Sequence, residues 1–281
     1  MSVNEYIVLL AVPFFLLLIA IEMVMEGKKY WRQNKAKDLR VSIVIGIGFF
    51  VIAGVTKGLL ILCYVSLNKY SLFMFPQHKW WMWLLCFIAD DFTYYWFHRI
   101  SHRVRFFWAT HIVHHSSEIY SYGAALRQGW TGNITGTFLM WAWMPLLGFD
   151  ASMVLMIKSL SIIYQFWTHT ELIKKTPVWI EAIFNTPSHH RVHHGRDAAY
   201  IDKNYGGVLI IWDRLFKSFK AEEASPKYGT VKKIDSHNPF VIPFFEWRGL
   251  LKDIKKVAGL HTLICYLFKP PGWQQKKQKE V

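Results

Sequence analysis

Residues 80–115 read WWMWLLCFIADDFTYYWFHRISHRVRFFWATHIVHH. From Trp80 to His98 the run is mostly apolar and aromatic, and it suits a helix crossing a hydrocarbon core that takes ~20 residues to span. Its end carries HRISH, with His98 and His102, and then HIVHH, with His111, His114 and His115. A third box, HHRVHH, supplies His189, His190, His193 and His194, and His169 stands alone in QFWTHTE. An apolar span that delivers imidazoles to a membrane surface sets the fold class. We expect an all-α integral membrane bundle with a cytosolic, histidine-rich cap.

Working outward, residues 3–25 (VNEYIVLLAVPFFLLLIAIEMVM) form a first span. No basic stretch precedes it and no small-residue cleavage site follows, so a removed signal peptide is not expected. A basic loop follows, with Lys28, Lys29, Arg32, Lys35, Lys37 and Arg40. A second span covers about 41–67, where Gly46, Gly48, Gly54 and Gly58 permit close helix packing. Residues 134–149 and 151–170 read as a hairpin that spans or re-enters, giving about four or five membrane helices in all. Basic short loops stay on the cytoplasmic side. With 28–40 there, His98 and His169 return to that same face, and all boxes meet in the cytoplasm. The chain divides into N-terminal membrane helices (1–79), a catalytic region with the boxes (80–220) and a cytosolic or interfacial segment (221–281). Within the last, 247–268 mixes apolar and basic positions, as an interfacial amphipathic helix or an ordinary helix packed on the cytosolic cap would, and the tail QQKKQKEV is expected to be disordered.

The net charge of +14 comes without a basic stripe interleaved with stacking aromatics, which argues against nucleic acid and for anionic lipid headgroups. Cys63, Cys86 and Cys265 lie in apolar stretches and form no CxxC pair, so they read as buried thiols.

Ten imidazoles exceed what one tetrahedral metal takes, so the boxes imply a two-metal centre. His98 and His102 are four apart, and His111 and His190 each begin a three- and four-residue spacing. On helices such spacings put side chains on one face. His189, beside His190, points elsewhere by about 100°. Asp91, Tyr95, His98 and His102 share one helical face. A charge inside an apolar span, as at Asp90 and Asp91, is costly and usually functional. Asp91 and Glu171 are the carboxylates assigned to catalysis, Asp91 either as an acceptor for a histidine ring N–H or as a structural carboxylate paired with a buried cation or the backbone; Glu118, Asp197, Asp202 and Asp213 are further candidates. Residue type leaves the metal open, since imidazole suits iron, copper, nickel and zinc. An oxygenase, a membrane zinc hydrolase acting on lipid and a non-enzymatic metal-binding protein all remain compatible with the boxes.

These boxes, in order and spacing, resemble the fatty acid hydroxylase/sterol desaturase superfamily. AALRQGW (124–130), IYQFWTHTE (163–171), NTPSHHRVHHGRD (185–197) and IDKNYGGVLIIWDRLF (201–216) look most like its alkylglycerol monooxygenase branch, and the similarity covers roughly residues 80–220. The resemblance implies a non-haem di-iron centre, O2 as co-substrate, two electrons, and oxidation of a C–H bond in an ether lipid, fatty acyl lipid or sterol. By motif it assigns metal binding to His98, His102, His111, His114, His115, His190, His193 and His194, with His169 and His189 matching further histidines of the branch. The vertebrate enzymes are longer, so this chain resembles a compact bacterial relative, which implies an inner-membrane location. One position departs: where the branch carries Glu after the second histidine of the first box, this chain has Arg103. No haem attachment, iron–sulfur ligand set or dinucleotide fingerprint is present, so electrons are expected from a separate donor such as ferredoxin, cytochrome b5 or a pterin (tetrahydrobiopterin).

Overall fold

In the computed structural model, residues 3–28 and 34–274 are described. Among them the structure is helical, with one isolated bridge between Phe184 and Leu209 in place of any sheet. Three long helices lead the chain: α1 (Val3–Glu26), α2 (Lys35–Asn68) and α3 (Trp80–Arg103). Among the described residues, α2 is the helix long and apolar enough to cross a membrane by length and hydropathy. Its large apolar side chains face outward, Val55 at 81% exposed and Leu62 at 66%. A continuous apolar surface of this kind calls for a covering of lipid or protein.

Helix α2 begins before the expected span. Lys35 is helical and buried, its ammonium 2.6 Å from Glu26 at the end of α1. Burial of a lysine this deep is sustained by such a pair. Lys29, Arg32 and the tail 275–281 lie outside the described residues. Of the four α2 glycines, Gly48 has a clear packing role. A Cβ there would sit 2.3 Å from the Trp130 ring, whose Nε1 donates to Ile45 O at 2.8 Å. Among the described residues, nothing lies within 4 Å of a Cβ placed on Gly54 or Gly58.

The expected hairpin has only one long arm. Residues 134–149 form a 3-10 turn (Thr137–Trp141) and a short α5 (Trp143–Leu147), after a short α4 (Arg105–His111) earlier in the chain. Gly136 (φ +76°) and Gly148 (φ +132°) break the run, and a Cβ on Gly148 would collide with Phe73 O at 2.4 Å. The second arm, α6 (Ala151–Phe166), is a regular helix capped by Asp150, which accepts from Ser152 N at 2.8 Å.

The main core joins α2, α3, α5 and α6 through Tyr64, Met82, Cys86, Trp141, Met144 and Val154. Asp90 is satisfied inside it: Trp141 Nε1 and Ser161 Oγ each donate to its carboxylate at 2.7 Å. Cys86 and Cys265 are buried and Cys63 half-buried, all three unpaired.

Past α7 (Val178–Ile183), α8 (Pro187–His194) and α9 (Ile211–Leu215), the C-terminal segment forms two helices, α10 (Phe245–Ile254) and α11 (Leu260–Phe268). Gly259 at φ +98° separates them, so 247–268 is not one continuous helix. Both pack on α4. Arg105 on α4 is buried between Glu246 and Asp253, 2.7 Å from each.

Candidate metal centre

The last turns of α3 carry His98 and His102. Val104, in an extended conformation, reverses the chain into α4, which ends on His111. A 3-10 turn then holds His114 and His115, so the second box is only partly α-helical. The third box lies on α8, started by Pro187 at its first position, where a missing N–H costs nothing. His169 follows α6.

Nine of the ten expected ligands converge, in two groups. His98, His102, His111, His115 and His193 form one; His114, His169, His190 and His194 form the other. Within each group the ligand atoms lie within 4.8 Å of one another. The boxes therefore do not each serve one centre. Every i,i+4 pair (98/102, 111/115, 190/194) stays in one group, while the i+3 histidine, His114 or His193, joins the other. Adjacent helical side chains diverge by about 100°. A His–His doublet thus reaches two neighbouring positions at once.

Backbone carbonyls set the tautomers. A carbonyl only accepts, so His98 Nδ1 donates to Tyr205 O (2.8 Å), His193 Nδ1 to Lys203 O (3.0 Å), His114 Nδ1 to Arg127 O (3.2 Å) and His169 Nδ1 to Gln165 O (2.9 Å). In the neutral rings the Nε2 lone pair is then bare. His114 Nε2 and His169 Nε2 stand 3.2 Å apart with no proton to share. Among the described residues, the buried Nε2 atoms of His102 and His193 have no hydrogen-bond partner. Two facing lone pairs repel unless a cation lies between them. An all-imidazole set of this kind fits transition metals.

Burial keeps these rings neutral. It lowers His114 to about 4 and His193 to about 3, and pushes His111, His115, His190 and His194 well below their ordinary value. A depressed histidine sheds protons that the unfolded chain keeps, so between pH 6.5 and about 4 stability rises with pH. The metal-free protein is expected to lose stability as pH falls through that window, by on the order of 3 kcal/mol from His114. Thermal unfolding followed by circular dichroism across pH 7 to 4 checks this; a flat profile contradicts it.

The carbonyls are themselves anchored. Asp213 accepts from Tyr205 N (2.8 Å) and Gly206 N (2.7 Å). Asp91 accepts from Val208 N (2.8 Å), Leu209 N (3.0 Å) and Trp212 Nε1 (2.9 Å). Asp91 thus reaches no histidine; it clamps the loop whose Tyr205 carbonyl orients His98. Arg127, buried, is held by Asp38, Ser42 Oγ (3.0 Å) and Ser116 Oγ (2.8 Å). Arg127, Tyr205, Lys203 and Gln165 act through carbonyls, which residue type does not reveal. The stretches quoted above for their resemblance contain all four.

His189 lies outside both groups, its Nδ1 donating to Phe184 O at 3.2 Å and its ring against Phe219. Glu171 accepts from Tyr228 Oη at 3.2 Å. Tyr228 stacks on Tyr120 (4.9 Å), whose ring lies over His169 at 5.8 Å. Glu171 is thereby linked to the second group through two rings. Arg103 pairs with Asp202 at 2.8 Å, and Asp202 comes within 3.8 Å of His102 Nδ1. Glu118 faces Lys233, and Asp197 accepts from Lys227 N.

A cavity of about 980 Å³ opens beside the first group, lined by His102, His115, His193 and His194 and extending between Trp108, Tyr266 and Trp273. That is at the upper end of the ~300–1,000 Å³ usual for small-molecule sites.

Residues 83–218 match the fatty acid hydroxylase family. The chain is 36% identical to alkylglycerol monooxygenase of Homo sapiens over 276 residues, and 36% identical to that of Danio rerio over 273, covering 96% of this chain and 60% of each relative. It is 30% identical to an ornithine lipid hydroxylase of Rhizobium tropici over 146 residues, 48% of this chain and 41% of that one. The chain thus spans about 60% of the length of the alkylglycerol monooxygenases it matches. No solved structure matches it. All three boxes and His169 lie inside the stretch that matches the fatty acid hydroxylase family, and the similarity to the alkylglycerol monooxygenases runs nearly end to end along this chain.

Proposed function

We propose that the protein is a membrane-bound, non-haem di-iron oxygenase that hydroxylates a C–H bond of a lipid, using O2 and two electrons from a separate donor. The observation that carries this reading is the pair of imidazole groups with their facing lone pairs, set within the matched stretch. His98, His102, His111, His115 and His193 would hold one iron, and His114, His169, His190 and His194 the other. When bound, the irons supply the O2 chemistry; the protein supplies position, electronics and exclusion of water. The overall change inserts one oxygen atom into C–H and releases the other as water, consuming two electrons and two protons.

The chain's own contribution is orientation. Carbonyls of Tyr205, Lys203, Arg127 and Gln165 fix four rings by their Nδ1 protons, which aims Nε2 inward and raises its donor strength. The adjoining cavity would hold the substrate so that one carbon faces the irons, and that geometry selects the position oxidised. The relatives are named for alkylglycerols and ornithine lipid, so a glycerolipid or aminolipid is the proposed substrate class. The outward apolar faces of α2 and α3 support membrane insertion, and the basic segment 28–40 supports histidines on the cytoplasmic side.

The test is turnover of iron-loaded, reduced protein with a 1-O-alkylglycerol and an ornithine lipid under 18O2. A product carrying one 18O, absent under argon, is expected. A product formed equally under argon overturns the reading, and a dehydrogenated product without 18O converts it to desaturation.

A further inference from the structure

Helix α11, LHTLICYLF, carries an apolar stripe on its outward side. Leu260 is 71% exposed, Ile264 46% and Phe268 55%. Their i, i+4, i+8 spacing makes one stripe, while Thr262 and Cys265 face inward and are buried. The inward side is apolar as well, with Leu263, Tyr266 and Leu267 half-buried, whereas a helix on a water-washed cap carries polar residues on its outer side.

The helix sits at the end of a long apolar one. Arg105 N, just past α3, donates to Lys269 O at 3.2 Å, so the end of α11 is level with the end of α3. Exposed Lys255 and Lys256 precede the stripe and exposed Lys269 follows it. Basic residues flanking an apolar face complement anionic headgroups above acyl chains. On its inner side the same helix lines the cavity through Tyr266, and Pro270, Pro271 and Trp273 continue that wall. The cavity beside the histidines is therefore separated from the stripe by the thickness of one helix.

We propose that α11 lies in the membrane interface, its Leu260–Ile264–Phe268 stripe among acyl chains of anionic lipid, and that it forms the membrane-side wall past which a lipid enters the histidine cavity. The membrane contact stands on exposure and charge alone; that the entering lipid is the substrate rests on the function proposed above.

The test uses the full chain in vesicles of phosphatidylglycerol bearing a diazirine in the acyl chain, with adducts mapped by mass spectrometry. Adducts are expected on Leu260, Ile264 and Phe268, as on Val51 and Val55 of α2, and also on Tyr266 and Trp273 inside the cavity. A water-soluble carbene reagent should mark Lys255 and Lys256 instead. In the triple variant Leu260→Ser, Ile264→Ser, Phe268→Ser, cavity adducts should fall about tenfold as the apolar contact is lost, while adducts on Val51 and Val55 persist and show that the variant is still inserted. Aqueous labelling of the stripe overturns the proposal, as does labelling by neither reagent, which would mean that protein covers it. Unchanged cavity adducts in the variant overturn the role as a wall. No readout depends on turnover, so a failed oxygenase reading leaves this test intact.

Discussion

Replacing His114 by alanine is expected to reduce activity by more than ~100-fold and to remove the metal of the second group, leaving the helices folded and inserted. His114 is one of four imidazoles there, against five in the first group, so the smaller set has less to spare. Loss of an outer partner alone typically costs ~10–100-fold in metal affinity or activity, and a ligand costs more. Metal per chain should fall by about one equivalent while the first group keeps its own. His189→Ala is the matched control, since that ring lies against Phe219 outside both groups. It should keep both metals. Metal content and turnover of the two variants, side by side, check the assignment; equal loss in both contradicts it.

The second large effect is expected at Asp91, and through a different route. Its carboxylate takes hydrogen bonds from Val208 N, Leu209 N and Trp212 Nε1. In Asp91→Ala, up to three donors lose their acceptor, at roughly 1–3 kcal/mol for each left buried. The thermal midpoint should drop by on the order of 10 °C. The loop would also release the Tyr205 carbonyl from His98, weakening metal binding in the first group. Asp91→Asn keeps one acceptor oxygen and should recover part of both losses. If Asp91 instead touched substrate or iron, Asp91→Asn would lose turnover with stability unchanged, and calorimetry with metal titration distinguishes the two.

The site was legible in the sequence where spacing carries geometry. His98/His102 and His190/His194 follow the helical repeat, and their meeting needs only that the helices end on one side. The division of the doublets was not legible, because it depends on where His111, His114 and His115 fall between an α-helix and a 3-10 turn. Nor were the carbonyls of Arg127, Lys203 and Tyr205 legible, since every residue has one and only the fold selects which meets a ring. Hydropathy located α2 and α3 well. It overstated 134–149, where apolar composition coexists with Gly136 and Gly148 at positive φ, a backbone a continuous helix cannot hold. It also joined α10 to α11 across Gly259 for the same reason.

The central claim is that the two histidine groups hold two irons that use O2. Metal analysis of anaerobically purified protein, followed by reduction and turnover with and without O2, tests it most directly. The account predicts about two irons per chain and lipid oxidation only when O2 is present. Zinc retained in both groups, together with lipid turnover that proceeds without O2, would contradict it.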